Sequence, residues 1–168
     1  LADWFLTQDL NERQVDECPY LLQMAERRQA LSEFLTDPSA FLLLYKVGSY
    51  ELLKYWVFLG EVYDIEEAYL KLLADLNIDW GDSNPIEDAQ KVDLVNRCCR
   101  FMHTAGHYSS MITMKRWCLN QCELLLGPFD SKTFVTLAEL GSMLTSSGRY
   151  NEAEPYVIKA LKLRETHL

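Results

Sequence analysis

Two pairs of side chains in this sequence have the types and the spacing of metal ligands. Cys99 and His103 are four residues apart, and so are Cys118 and Cys122, so each pair shares one face if it lies in a helix. Zinc prefers thiolate and imidazole ligands. The spacing is not that of a loop-borne Cys-x-x-Cys motif, and a buried thiol also packs well as a small apolar group. We therefore predict packing and no metal site, with a metal-binding or redox module of these four residues as an alternative.

The same region holds the best candidate for nucleophilic catalysis. His103 is one helical turn from Cys99, but a catalytic cysteine also needs an exposed setting and an orienting partner. The chain has no glycine-rich loop followed by Lys-Ser or Lys-Thr, so it lacks the usual cradle for nucleotide phosphates. The sequence thus predicts no catalytic residue and no cofactor.

Composition and charge narrow the class of partner. Residues 1–90 carry 18 Asp or Glu and 6 Lys or Arg, while residues 91–168 carry 7 and 10, so net charges of −12 and +3 give the total of −9. No basic stripe suits nucleic acid. The apolar run 41–45 is too short to cross a bilayer, which predicts no membrane insertion. The five cysteines, an odd number in helix-like sequence, favour reduced thiols and a cytoplasmic location.

Apolar spacing near 3.6 residues predicts helices throughout and no strand, hence an all-α fold. Pro19 predicts a kink or a fresh start within the first helix, and Ser39 and Ser49 are candidate caps. A boundary is expected at 79–85, where turn-forming residues cluster and the charge balance changes sign. The predicted helices span about 12–25, 30–35, 40–47, 50–59, 62 or 65 to 76, 86–104, 108–126, 131–147 and 151–166.

The last 35 residues have the spacing of a tetratricopeptide repeat, a helical hairpin that stacks on its neighbours. We expect its two helices to pack closely through Gly141 and Ala160, with an interlocking turn at 148–150. The residues that carry the pattern are Leu137, Leu140, Gly141, Leu144, Gly148, Tyr150, Ala153 and Ala160.

A second copy of the pattern lies 42 residues earlier. Placing Gly106 on Gly148 aligns Val95 with Leu137, Cys98 with Leu140, Cys99 with Gly141, Met102 with Leu144, Tyr108 with Tyr150, and Cys118 with Ala160. An ordinary repeat has 34 residues, so this is a long-period variant. The run 152–155 followed by 159–161 resembles the second helix of the repeats in kinesin light chains and in nephrocystin-3-like proteins.

The first half resembles a different module. The runs 15–25 and 31–37 are similar to the helical segment that follows the winged helix in STAND-type NTPases, and residues 1–6 resemble the helix before it. Cys18-Pro19 stands where those proteins have Leu-Pro, and Glu26 stands where a turn glycine is usual. The prediction is a helical linker at 1–80, followed at 85–168 by two repeats, about 86–126 and 131–168, in a right-handed helical-hairpin solenoid.

In such arrays the first helix of each hairpin lines a concave groove that binds other proteins. Asn96 and Arg100 are one turn apart and suit a peptide backbone or a carboxylate. The expected groove residues are Asp93, Asn96, Arg100, His103 and Thr104 from the first repeat and Val135, Ala138, Ser142, Thr145 and Ser146 from the second.

These patterns predict a protein-interaction scaffold rather than an enzyme. The resemblance to nephrocystin-3-like proteins implies a segment of a larger signalling protein in the cytoplasm or primary cilium, acting in cilium assembly with partners such as inversin. One alternative is a linker that restrains an upstream NTPase module. The final helix has no evident polar cap, so we expect the array to continue past Leu168 and regard this helix as a candidate for self-association.

Overall fold

A computed structural model describes residues 12–76, 78 and 89–167. Every regular element among these residues is an α-helix and none is a strand, which confirms the all-α prediction. No helix in this part of the chain is long and apolar enough to cross a membrane. The chain divides into two compact units, Leu1–Ile78 and Asp79–Leu168. The expected boundary at 79–85 and the helix expected at residues 1–6 lie outside the described residues.

The first unit consists of short helices. They are α1 (Glu12–Met24), α2 (Arg28–Leu35), α3 (Pro38–Val47), α4 (Ser49–Leu59) and α5 (Ile65–Asp75). The prediction of a fresh start at Pro19 is wrong, because α1 continues through it. Ser39 does not cap α3; Asp37 does, accepting hydrogen bonds from the amides of Ser39 and Ala40 at 3.0 and 2.9 Å. Gly48, which has no side chain to offer, precedes α4, so Ser49 is its first residue rather than its cap.

Tyr69 ties α5 to the rest of this unit. Its ring is fully buried and lies 5.0 Å from that of Phe41, centroid to centroid. Its hydroxyl donates to the Leu35 carbonyl at 3.1 Å and accepts from Nε1 of Trp56 at 3.4 Å. Both polar groups of this aromatic pair are thereby satisfied inside the core, as burial requires.

The turn after α1 has the backbone geometry that usually selects glycine. Glu26 adopts φ +53°, in the left-handed region. Its amide donates to the Gln23 carbonyl, and the Arg27 amide donates to the Leu22 carbonyl, both at 3.0 Å. This pair of bonds is a Schellman motif, which satisfies the last carbonyls of a helix. Glu26 therefore stands where glycine is usual, and its backbone still adopts the left-handed conformation that glycine would have at this position.

The second unit is built from four longer helices. They are α6 (Ala89–Ala105), α7 (Ser109–Leu126), α8 (Ser131–Ser146) and α9 (Tyr150–His167). Each packs on the next: α6 on α7, α7 on α8, and α8 on α9. The helix bounds agree with the expected ones, although the start expected near 86 falls outside the described residues. Sequential packing is what a repeat array requires, while a right-handed solenoid stays a prediction.

The two hairpins of this unit close with the same turn. Gly106 and Gly148 adopt φ +86° and +75°. After α6, the His107 amide donates to the Met102 carbonyl at 2.9 Å, and after α8 the Arg149 amide donates to that of Leu144 at 2.9 Å. Both are Schellman motifs, separated by the 42 residues that the sequence comparison gave. The aligned core positions are all buried: Val95 and Leu137, Cys98 and Leu140, Cys99 and Gly141, Met102 and Leu144, Cys118 and Ala160.

Tyr150 does not pack between the repeat helices as expected. It is 66 % exposed, and Tyr108, its counterpart in the first hairpin, is 37 % exposed. Tyr150 is the first residue of α9, directly after the turn, and its ring extends into solvent. The turn expected at 148–150 is present, and its interlocking role stays a prediction.

Candidate functional site

The expected groove residues of α6 and α8 lie on neighbouring helices joined by an ion pair. Nη2 of Arg100 on α6 lies 2.8 Å from Oε1 of Glu139 on α8. The Arg100 side chain is 49 % exposed and that of Glu139 is 20 % exposed. We call the exposed surface of α6 and α8 around this pair the α6/α8 face.

A buried lysine lies beneath this ion pair. Lys115 of α7 is completely inaccessible to solvent, and its Nζ donates to Oδ1 of Asn96 and to Oε2 of Glu139. Burying an ammonium group is costly unless a countercharge and hydrogen bonds replace its water. Glu139 supplies the countercharge, and Asn96 supplies a further acceptor. We call Asn96, Arg100, Lys115 and Glu139 the polar network; it connects three helices.

Neither Lys115 nor Glu139 was among the residues expected at this site. A usable signal existed for Lys115, because it stands in an otherwise apolar row of α7 with Met111, Met114 and Cys118, all of which are buried. A charge in such a row needs a partner. Nothing local identifies that partner, since Glu139 is 24 residues away on another helix.

Three other α6 residues of the expected groove contact residues of their own hairpin. Oδ2 of Asp93 accepts from Nε of Arg97 at 2.8 Å, one turn along the helix. The Thr104 hydroxyl donates to the Arg100 carbonyl at 3.1 Å. The His103 ring meets that of Tyr108 edge-on, with centroids 5.7 Å apart. The charged residues expected on α6, Asp93 and Arg100, are 54 % and 49 % exposed, and each forms one ion pair; Arg100 differs in that its pair reaches α8.

The α8 part of the face offers small side chains. Ser142, Thr145 and Ser146 are exposed, and the Thr145 hydroxyl donates to the Gly141 carbonyl at 2.8 Å. Val135 is 45 % exposed near the start of the same helix, and Ala138 is half-buried. This row lets another backbone approach α8 closely, because no long side chain stands in the way.

The cysteines of α6 and α7 form part of the core. Cys99 and Cys118 are completely buried and Cys122 is 6 % exposed. Burial, with added hydrogen bonding to Cys99, raises the pKa of the Cys118 thiol well above its usual value. Sγ of Cys122 lies 3.9 Å from the Thr136 hydroxyl. Among the residues that the structure describes, no three His, Cys, Asp or Glu side chains converge on a metal position.

The small positions of the repeat bring α8 and α9 close together. A Cβ on Gly141 would lie 3.0 Å from Cγ2 of Val157 and 3.5 Å from the Val157 backbone nitrogen. Ala153 and Ala160, which the repeat pattern also singled out, are 3 % and 8 % exposed. A side chain at position 141 would therefore crowd Val157.

Comparison of the chain with protein-family models, with curated proteins and with solved structures finds no match. The geometry of the chain itself therefore carries the functional argument.

Proposed function

We propose that the second unit is a protein-interaction module, not an enzyme, and that it binds partner proteins through the α6/α8 face. The observation that carries the proposal is the half-exposed Arg100 guanidinium, which is fixed at the centre of that face by its ion pair with Glu139. A guanidinium has five N–H donors, and an ion pair with one carboxylate oxygen does not use all of them. Arg100 therefore suits carboxylate or carbonyl groups of a partner.

The polar network supports this role by holding Arg100 in one position. Lys115 fixes Glu139 from the buried side, and Glu139 in turn orients Arg100. A side chain ordered before binding loses less conformational entropy when a partner arrives, so affinity gains from this arrangement. The exposed hydroxyls of Ser142 and Ser146 on α8 leave room for a partner backbone beside the anchor.

The resemblance to nephrocystin-3-like proteins gives this proposal its biological setting. It favours a scaffold segment of a larger cytoplasmic signalling protein at the primary cilium, with ciliary proteins such as inversin as partners. The two expected repeats, 86–126 and 131–168, would then contribute part of a longer binding surface.

The direct test places bulky side chains on the exposed surface of α8. In Ser142→Arg/Ser146→Arg, two long side chains replace exposed hydroxyls without altering the buried network. Thr113→Arg, at an exposed position of α7 outside the α6/α8 face, is the matched control. Binding of purified inversin is measured by calorimetry, after circular dichroism has shown that both variants retain the helix content of the wild type.

The proposal expects the double variant to weaken binding by at least about tenfold, which corresponds to about 1.4 kcal/mol, and the control to bind as the wild type does. Equal binding by both variants would remove the α6/α8 face from the proposal. Absence of binding by the wild type itself would remove inversin, and the same variant pair would then be compared for capture of other ciliary proteins.

A further inference from the structure

We propose that Asn96 and Arg100 form a subsite for one carboxylate side chain of a partner protein. The two residues lie four positions apart on α6, so their side chains are neighbours, with Cβ atoms about 5–6 Å apart. Nζ of Lys115 donates to Oδ1 of Asn96, and Oε1 of Glu139 lies 2.8 Å from Nη2 of Arg100. This inference rests on the proposed function, because it names the group that the α6/α8 face binds.

The buried lysine decides which way the Asn96 amide faces. A lysine ammonium has donors only, so the amide oxygen of Asn96 must be the atom that meets it. The amide nitrogen, on the other arm of the planar amide, is then turned away from Lys115. No residue that the structure describes accepts a hydrogen bond from this nitrogen, and it is not among the buried polar atoms of these residues that lack a partner. Its two N–H donors are therefore open to a ligand.

The polar network presents donors to a ligand at this point, while its acceptors are already engaged. Oε1 of Glu139 pairs with Arg100, and Oε2 of Glu139 accepts from Lys115. The Asn96 amide oxygen also accepts from Lys115. Arg100 keeps N–H donors beyond the one that meets Glu139. A group that binds between Asn96 and Arg100 must therefore be a hydrogen-bond acceptor.

The charge of the network favours a carboxylate over a neutral carbonyl. Lys115 and Arg100 are two cations against one carboxylate, that of Glu139, which leaves one net positive charge. The neighbouring pair of Asp93 and Arg97 adds no net charge. One ligand carboxylate balances this charge, and hydrogen bonds to a charged acceptor are about twice as strong as those to a neutral one.

The surface of α8 assigns this carboxylate to a side chain within the partner rather than to its chain end. Val135 lies one turn before Glu139 and Ser142 one turn after it, and both are exposed. Ser146, also exposed, follows one turn later. Since none of these three side chains is long, a partner chain has room to continue in both directions from the subsite. An aspartate or glutamate inside a continuous segment fits this surface.

Three acetylated heptapeptides of alanine and serine supply the probes. The first has a central glutamate and an amidated end, the second has glutamine in its place, and the third has the central glutamine with a free terminal carboxylate. Binding to the whole chain is followed by NMR through the side-chain N–H signals of Asn96 and Arg100. The glutamate peptide is expected to bind at least about tenfold more tightly than either of the others, because it alone places a charged acceptor in the middle of a chain.

Matched variants locate the subsite. Asn96→Asp keeps an oxygen for Lys115 but removes both outward donors and adds a repelling charge, so it should weaken binding of the glutamate peptide at least about tenfold, read on the Arg100 signal. Asn151→Asp makes the same change at an exposed position of α9 and is expected to bind normally. Arg100→Gln, which leaves Glu139 paired with Lys115, should weaken binding similarly, read on the Asn96 signal. Circular dichroism checks that each variant retains its helix content.

Four results would overturn the proposal. The first is the absence of a saturable shift when the wild type meets the glutamate peptide. Equal binding of the glutamate and glutamine peptides would remove the requirement for charge. Equal or tighter binding of the peptide with the free terminus would assign the subsite to a chain end. Equal loss in Asn96→Asp and Asn151→Asp would remove these residues from the site.

Failure of this subsite is distinguishable from failure of the proposed function. Both variants, Ser142→Arg/Ser146→Arg and Asn96→Asp, are compared for binding of purified inversin. If the first loses binding while Asn96→Asp binds as the wild type does, the α6/α8 face stands and the carboxylate subsite falls. If both lose binding, the subsite and the face stand together.

Discussion

The two hairpins of the second unit have the same turn and differ in the residues that lie between their helices. Both α6–α7 and α8–α9 turn at a left-handed glycine, Gly106 or Gly148, with the same pair of closing hydrogen bonds. In the first hairpin a cysteine stands at the close contact and a buried lysine follows on the second helix. In the other hairpin these positions hold Gly141 and Val157, which touch directly.

This difference shows which parts of the two hairpins are constrained by the backbone and which by neighbouring side chains. The turn is a local backbone requirement, so both hairpins meet it with glycine. The position of Lys115 or Val157 instead varies with the side chains around it. Lys115 meets Glu139 of α8, while Val157 is 48 % exposed. This one position therefore holds a charged residue in the first hairpin and an apolar residue in the second.

The largest expected effect comes from removing the buried cation. Lys115→Met keeps the length of the side chain but leaves Glu139 without the partner on its buried side. Loss of one member of a buried ion pair typically costs about 3–5 kcal/mol, and because Arg100 still contacts Glu139 we expect about 3 kcal/mol. Urea unfolding followed by circular dichroism measures the change.

The double variant Lys115→Met/Glu139→Leu sharpens this prediction. Replacing both charges by apolar groups is often nearly neutral, so the double variant should regain most of the lost stability. Arg97→Met, which breaks an exposed pair with Asp93, is the control and should change stability by less than about 1 kcal/mol. A loss below that limit in Lys115→Met would mean that the network contributes little to the packing of the three helices.

The close contact between α8 and α9 gives the next largest effect. Gly141→Leu forces a side chain against Val157 and the α9 backbone, where a single Cβ already comes within 3.0 Å. Overpacking of this kind costs about 2 kcal/mol. Ser142→Leu, at the exposed neighbouring position, is the control and should be close to neutral by urea unfolding. Similar losses in both variants would show that the helix surface, rather than the contact, sets the cost.

The turn after α1 extends the comparison to the first unit, where the same motif lacks its glycine. Glu26→Gly removes the penalty of a Cβ in the left-handed region and should raise the unfolding free energy of this unit by about 1 kcal/mol. Gly148→Ala introduces that penalty after α8 and should lower stability by a similar amount. The midpoint temperature of thermal unfolding should therefore rise in one variant and fall in the other. Shifts in the same direction would contradict the shared motif.

Local signals were sufficient for the helices and their turns. Glycine at 106 and 148, with apolar residues at helical spacing before each, predicts the ends of α6 and α8 because the left-handed turn and the helix are both encoded within a few residues. The sequence did not decide which residue caps α3. Asp37 and Ser39 are both good caps, and the choice of Asp37 depends on where Pro38 starts the helix.

Contacts between distant residues were not accessible in the same way. Lys115 is visible as a charge in an apolar row, but its pairing with Asn96 and Glu139 depends on how three helices pack. The expected groove residues were chosen by spacing alone, and spacing does not reveal that Arg100 has an internal carboxylate partner. Tyr150 fits the repeat pattern, yet it is 66 % exposed at the start of α9.

The smallest expected effect concerns the surface ion pairs that link α7 and α9. Arg149 first, and Arg116 second, lower the pKa of the Glu152 carboxyl below its ordinary value of 4.5. A carboxyl whose pKa is depressed by folding adds stability above its unfolded pKa, and that stability is lost as the pH falls through the folded value. Glu152→Gln should therefore cost a small amount at pH 7 and nothing at pH 2, measured as the urea midpoint at each pH in low salt. Glu123→Gln, which breaks the link to Lys159, should also cost little at pH 7, since exposed pairs of this kind contribute little. A large loss at pH 7 in either variant would instead assign the contact between the hairpins to its surface charges.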